Sequence, residues 1–240
     1  MNFPYSPLSS GNQTLQTRAR GIHTKPKVGF YRHPLLAPGN QTKVEMGDLL
    51  LVYKHYLNGV LDASRASIVQ AKYTPGNKRT WKIDTDQFYF MTQWPSFRIL
   101  GATSKRWHSI RPRALTWGGY GFVGPKATRY PLYYSSARML RSKTTALGTN
   151  SFNFPAVAGI GWDSSTSFLM KFAQGLIGED LSNTRVKSLV DEIYRHLRLR
   201  PDPPGDPPEN PESHNERDKQ KFAFGIVEFV VTSEERERKC

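Results

Sequence analysis

The residues best suited to chemistry lie in Ser104-Lys105-Arg106-Trp107-His108-Ser109-Ile110-Arg111-Pro112-Arg113. Lys105, Arg106, Arg111 and Arg113 flank a tryptophan and a histidine there. Guanidinium and ammonium groups bind phosphate oxygens, and an indole offers a face on which a base can stack. The competing expectation is a solvated loop whose Trp107 plugs the core. Arg98 precedes this stretch, and Arg18, Arg20, Lys25 and Lys27 form a second run of cations near the N-terminus. These ten residues are the candidate nucleic-acid contacts.

Other constellations carry less. Gly119-Tyr120-Gly121-Phe122-Val123 matches the middle of the RNA-recognition-motif signature, where strand aromatics stack on bases. The ends of that signature are absent, since Gly118 and Pro125 stand there, and a glycine-rich turn is the expectation. Asp84 and Asp86 would share one face of a strand, with Lys82 beside them, as a metal-dependent nuclease requires. No third ligand of suitable spacing accompanies them. The six histidines show no i, i+3 or i, i+4 pairing, and no HExxH, GxSxG, P-loop or GxGxxG occurs. His55, inside an apolar strand pattern, reads as a packed or surface residue. No catalytic residue, metal site or cofactor is assigned.

The positive charge that would draw a polyanion is localised. The chain has 240 residues and a net charge of +14, of which residues 1–162 carry +17 and residues 163–240 carry −3. Residues 1–44 and 87–162 contain no Asp or Glu at all. An ordinary surface mixes both signs; a long acid-free stretch makes a field that attracts nucleic-acid phosphates or anionic lipid headgroups. The single cysteine, Cys240, excludes a disulfide scaffold and cysteine-based zinc or iron–sulfur centres. No apolar run reaches the ~18–20 residues of a membrane helix. The acid-free N-terminus has the Arg-rich character of an organelle import segment, but Pro4, Pro7 and Gly11 interrupt its helix. An intracellular or virion location is expected.

The elements that must hold these residues follow from periodicity and turn chemistry. Residues 1–44, broken by proline and glycine, read as an extended basic arm. Residues 45–200 form the core domain. Leu49–Leu57, then Asn58-Gly59, then a return strand with a bulge give a hairpin. Strands are expected at Thr80–Asp84, Gln87–Trp94, Ser96–Leu100, Tyr120–Val123 and Tyr130–Tyr134. Residues 164–177 suit a first helix. A second starts at Ser182-Asn183, carries Val186, Leu189, Val190, Ile193, Tyr194 and Leu197 on one stripe, and stops at Pro201. Residues 201–218 are an acidic, proline-rich linker. Residues 219–240 hold a strand at 222–231, expected to pair with this sheet or a neighbouring chain, and a charged tail.

The expected fold is α+β: a β-rich antiparallel meander with one or two C-terminal amphipathic helices and extended N- and C-terminal arms. The expected function is non-enzymatic: a structural protein that binds nucleic acid, RNA favoured, inside a larger assembly. A viral coat or nucleocapsid protein and an organellar ribosomal protein both fit. The arm and the 222–231 strand would tie sister subunits together. The alternatives are a matrix-type protein on anionic membrane and, third, a metal-dependent nuclease.

Overall fold

In the computed structural model the described residues are 2–4, 8–10, 12–22, 26–31, 41–73, 80–102, 104–123, 132–141, 151–155, 163–164, 170–196 and 224–234. In chain order the strands before the first helix are β1 (Asn2–Pro4), β2 (Leu8–Ser10), β3 (Gln13–Ile22), β4 (Lys27–Phe30), β5 (Thr42–Glu45), β6 (Leu49–Leu57), β7 (Val60–Tyr73) and β8 (Thr80–Asp84). Then come α1 (Thr85–Gln93), β9 (Phe97–Leu100), β10 (Gly118–Val123), β11 (Leu132–Ser136) and α2 (Ala137–Arg141). The last elements are β12 (Ser151–Pro155), β13 (Asp163–Ser164), β14 (Glu179–Asp180), α3 (Thr184–His196) and β15 (Phe224–Ser233).

Strands dominate, and the main sheet is mixed rather than an antiparallel meander. Its order is β1-β3-β15-β6-β7-β10-β11-β13, with β2 on β3 and β14 on β7. The β6–β7 hairpin turns at Asn58 and Gly59, whose φ angles of 49° and 79° suit a type I′ turn. A bulge between His55 and Tyr56 adjusts the register. β15 lies between β3, antiparallel, and β6, parallel. Both its edges are therefore taken inside the chain, so of the two partners expected for this strand it pairs with its own sheet. β3, read as part of an arm, is a strand of the same sheet.

The meander reading also fails at Gln87–Trp94, which belongs to a helix. Asp84 caps α1 by accepting a hydrogen bond from the Gln87 amide at 2.8 Å, and Trp94 ends it in a left-handed conformation before Pro95. Gln87, Phe90 and Met91 then fall on one buried face. β7, α1 and β10 form a crossover unit, because β10 runs parallel to β7.

Alternation along the strands sorts the core into two layers. Leu50, Val52, Ala66, Ile68, Tyr120, Phe122, Phe224 and Ile226 pack with α1 and α3. Leu51, Tyr53 and Val69 face the other way, against Tyr134, Phe172 and Ile177. Each large apolar side chain buried in this way contributes roughly 1.5–3 kcal/mol. In α3, Val186, Leu189, Val190, Ile193 and Tyr194 are buried, and Asn183 accepts from the Arg185 amide at 3.3 Å. Leu197 and the linker 201–218 lie outside the described residues. Of the helix expected at 164–177, only a helical turn at 170–173 is described.

Candidate nucleic-acid interface

A three-stranded sheet, ordered β5-β4-β9, carries the candidate face. Val28, Phe30, Phe97 and Ile99 are buried beneath it. The alternate positions Lys27, Gly29, Lys43 and Arg98 lie on the outer side, and Gly29 is paired with both Lys43 and Arg98. Tyr31 follows β4, and its ring stacks on Trp107 at 5.7 Å with an interplanar angle of 19°. The Arg98 guanidinium lies 5.9 Å from the Trp107 ring centre and donates to Gln41 Oε1 at 3.2 Å. Tyr31 is 56% exposed and Trp107 42% exposed.

The loop that presents Trp107 is pinned by its neighbours. His108 and Phe97 exchange backbone hydrogen bonds of 2.6 and 3.0 Å, and their rings stack at 5.4 Å. His108 Nε2 lies 3.2 Å from Glu192 Oε2 on α3, with both side chains buried. Burial pushes the His108 pKa down, against the Glu192 carboxylate, which pulls it up. Ile110 is buried as well, so His108 and Ile110 plug the core while Trp107 faces out. Lys105 and Arg106 are exposed beside it, and Arg106 donates to Ser188 Oγ at 3.1 Å.

The ten sequence candidates separate on this geometry. Lys27, Arg98, Lys105, Arg106 and Trp107 belong to the face or its bordering loop. Arg111 and Arg113 are exposed farther along the loop. Arg18 and Arg20 lie on β3 in the other sheet, and Arg18 is only 8% exposed, opposite Glu228. Burial withdraws Arg18 from phosphate contact. Lys25 lies outside the described residues. Tyr31 and Lys43 were missed because a single aromatic or lysine carries no spacing signal.

The glycine-rich stretch does not present its aromatics. Tyr120 and Phe122 are fully buried, and burial holds the Tyr120 phenol well above its usual range. A side chain at Gly119 would collide with the Tyr134 ring, so close packing accounts for that glycine. Asp84 is spent as the α1 cap and Asp86 sits in the first helical turn, so they do not form a carboxylate pair on a strand. Among the described residues no group of three His, Cys, Asp or Glu is placed to hold a metal.

Two further polar groupings emerge. His55 lies between Asp62 Oδ2, 2.9 Å from Nδ1, and Ser233 Oγ, 3.0 Å from Nε2. That order resembles a nucleophile relay, yet Ser233 is buried and the nearby amides of Asn58 and Glu234 already donate to Ser233 and Asn12 carbonyls. The grouping joins the hairpin to the end of β15. The second grouping gathers Asp48, Gln70, Lys72 and Gln87. Asp48 Oδ2 accepts from the Gln70 carboxamide and from the Ala71 amide at 2.8 Å. Gln87 donates to Gln70 Oε1 and to the Glu45 carbonyl at 3.2 Å, and Lys72 donates to Gln87 Oε1 at 3.2 Å.

Comparison with protein-family models, with curated proteins and with solved structures gave no match for this chain.

Proposed function

We propose that this chain binds nucleic acid, RNA in first place, through the outer face of β5-β4-β9 and the loop that carries Trp107. The observation that supports the reading best is the exposed Tyr31–Trp107 stack beside Arg98. An aromatic platform next to cations takes bases and phosphates together. Lys27, Lys43, Lys105 and Arg106 add charge, and Glu45, opposite Lys27, is the one carboxylate of the described face. The role is that of a subunit in a larger assembly, such as a coat, nucleocapsid or organellar ribosomal protein. Neighbours would be reached through the chain termini and exposed apolar side chains such as Met170 and Leu176.

The test measures binding of a single-stranded RNA oligonucleotide and of anionic liposomes over a salt series. RNA retention at ~50 mM salt with a steep negative slope of log K on log salt supports the reading. Liposome binding without RNA retention would replace it with the membrane alternative.

A further inference from the structure

The loop that presents Trp107 lies along α3 as well as beside the three-stranded sheet. Arg106 donates to Ser188 Oγ at 3.1 Å. One helical turn on, Glu192 meets His108 at 3.2 Å. A further turn on, His196 approaches Gly101, the residue after β9: a Cβ built there would stand 3.8 Å from His196 Cε1. The segment from Gly101 to His108 thus follows α3 from His196 back to Ser188. Arg106 and His108 turn toward the helix. Trp107, between them, turns toward Tyr31 and Arg98. One loop therefore joins two surfaces, the aromatic face and a seam on α3.

The helix side of that seam is cationic. Arg185, Ser188, Glu192 and Arg195 recur at i, i+3, i+7 and i+10, which is one stripe of α3. Arg185 and Arg195 are exposed, as are Lys105 and Arg106 on the loop. Glu192 is the one carboxylate of the stripe, and it is buried against His108. Asp191, on the adjoining stripe, lies 3.8 Å from Lys187. The exposed charge along the stripe is therefore positive from end to end. Ten residues at 1.5 Å per residue set Arg185 and Arg195 about 15 Å apart. The stripe carries no aromatic side chain, so it offers a path for phosphates and no platform for bases. Arg106 spends one of its five N–H groups on Ser188, and the rest remain for a phosphate.

We propose that this stripe continues the nucleic-acid track: a single RNA strand stacks bases on the Tyr31–Trp107 pair and carries its backbone over Arg106 onto Arg185 and Arg195. This rests on the nucleic-acid reading above and adds the class of ligand, a continuous single strand long enough to cover both surfaces. The two surfaces act as linked sites. A strand held on the aromatic face presents its next phosphates to α3 at high local concentration, so the second contact strengthens the first without any change in either. Ser188 is a positioning residue here, because its hydroxyl holds the Arg106 guanidinium at the junction.

The experiment follows fluorescence anisotropy of labelled single-stranded RNA, one probe short (about 4 nucleotides) and one long (about 12), on the full chain over a salt series. The long probe should bind about tenfold tighter or more. In the double variant Arg185→Gln with Arg195→Gln that gain should vanish, and the slope of log K on log salt for the long probe should flatten by ~1.4, two cations at ~0.7 each. The short probe should bind the double variant as it binds the wild type. If the double variant does not fold, Arg195→Gln alone carries the test, with a slope change of ~0.7. A long-probe slope that ignores both arginines while binding still depends on Trp107 overturns this inference and leaves the binding reading standing. Equal losses for the short and long probes also overturn it, since they would place the arginines at a single compact site. A slope that responds to the arginines, with binding indifferent to Trp107→Ala, supports the α3 track and overturns the aromatic interface. Retention of neither probe at ~50 mM salt overturns both.

Discussion

Trp107 stacks on Tyr31 at 5.7 Å, although the two residues come from a loop and a strand end 76 positions apart. Both rings keep much of their surface in solvent. A stacked pair left exposed gains little from burial, and the exposed part of its surface can take a third ring.

Trp107→Ala should therefore separate binding from stability. Loss of one stacked base costs ~1–3 kcal/mol, so RNA affinity should fall about 5- to 150-fold. Unfolding free energy should change by less than about 0.5 kcal/mol, because the ring is surface-exposed. Trp94→Ala is the contrast: that ring is 5% exposed among Phe90, Phe97 and Trp117, and its loss should cost roughly 3–5 kcal/mol. Fluorescence titration and urea melts give both quantities. Equal effects of the two variants on stability would sink the distinction.

Arg98→Ala and Lys27→Ala should each flatten the salt dependence of RNA binding by ~0.7 in the slope of log K on log salt. Arg18→Ala should leave the slope unchanged, since Arg18 is buried on β3 opposite Glu228. A slope that responds to Arg18 and ignores Arg98 would move the interface to the other sheet.

Local signals made part of this fold legible. Asn58-Gly59 marked the hairpin because its turn type needs positive φ at two successive positions. The stripe from Val186 to Tyr194 with Asn183 before it marked α3. Gln87–Trp94 misled because Phe88, Tyr89, Phe90 and Trp94 favour strands, while the deciding facts were the Asp84 cap and the packing of Phe90 on Phe30 and Phe97. β3 was illegible because its partner, β15, lies at the other end of the chain. The Asp48–Gln70–Gln87 grouping was hidden for the same reason: separate elements bring it together, and no short motif spans them.

Tyr194 donates to Glu228 Oε1 at 2.6 Å, and Lys54 donates to the same oxygen at 3.1 Å. Glu228 is buried on β15, an interior strand of the sheet, and these two donors satisfy its carboxylate oxygen. Tyr194→Phe removes one donor without changing the packed ring and should cost ~1.5–3 kcal/mol, as hydrogen bonds to a charged group do. Urea denaturation should show a lower midpoint at an unchanged m-value. A change below ~0.5 kcal/mol would mean that Lys54 alone satisfies the carboxylate.

The His108–Glu192 contact sets a pH dependence whose sign is fixed by which effect on His108 is larger. Burial lowers the His108 pKa from its ordinary 6.5, and it outweighs the upward pull of Glu192; Arg106 and Arg195 lower it further. The unfolded chain therefore binds the proton more readily than the folded one. Above the ordinary pKa neither state carries it, and this site does not alter stability. As pH falls below about 6.5, the unfolded state gains protons first, and stability drops by up to ~1.4 kcal/mol per pH unit until the folded pKa is reached. Glu192→Gln removes the opposing pull, so the loss should extend to lower pH. Unfolding free energies between about pH 7.5 and 5 should thus decline on acidification in the wild type, and the decline should shrink in His108→Gln. Stability that rises on acidification, with the rise lost in His108→Gln, would show that the ion pair outweighs burial.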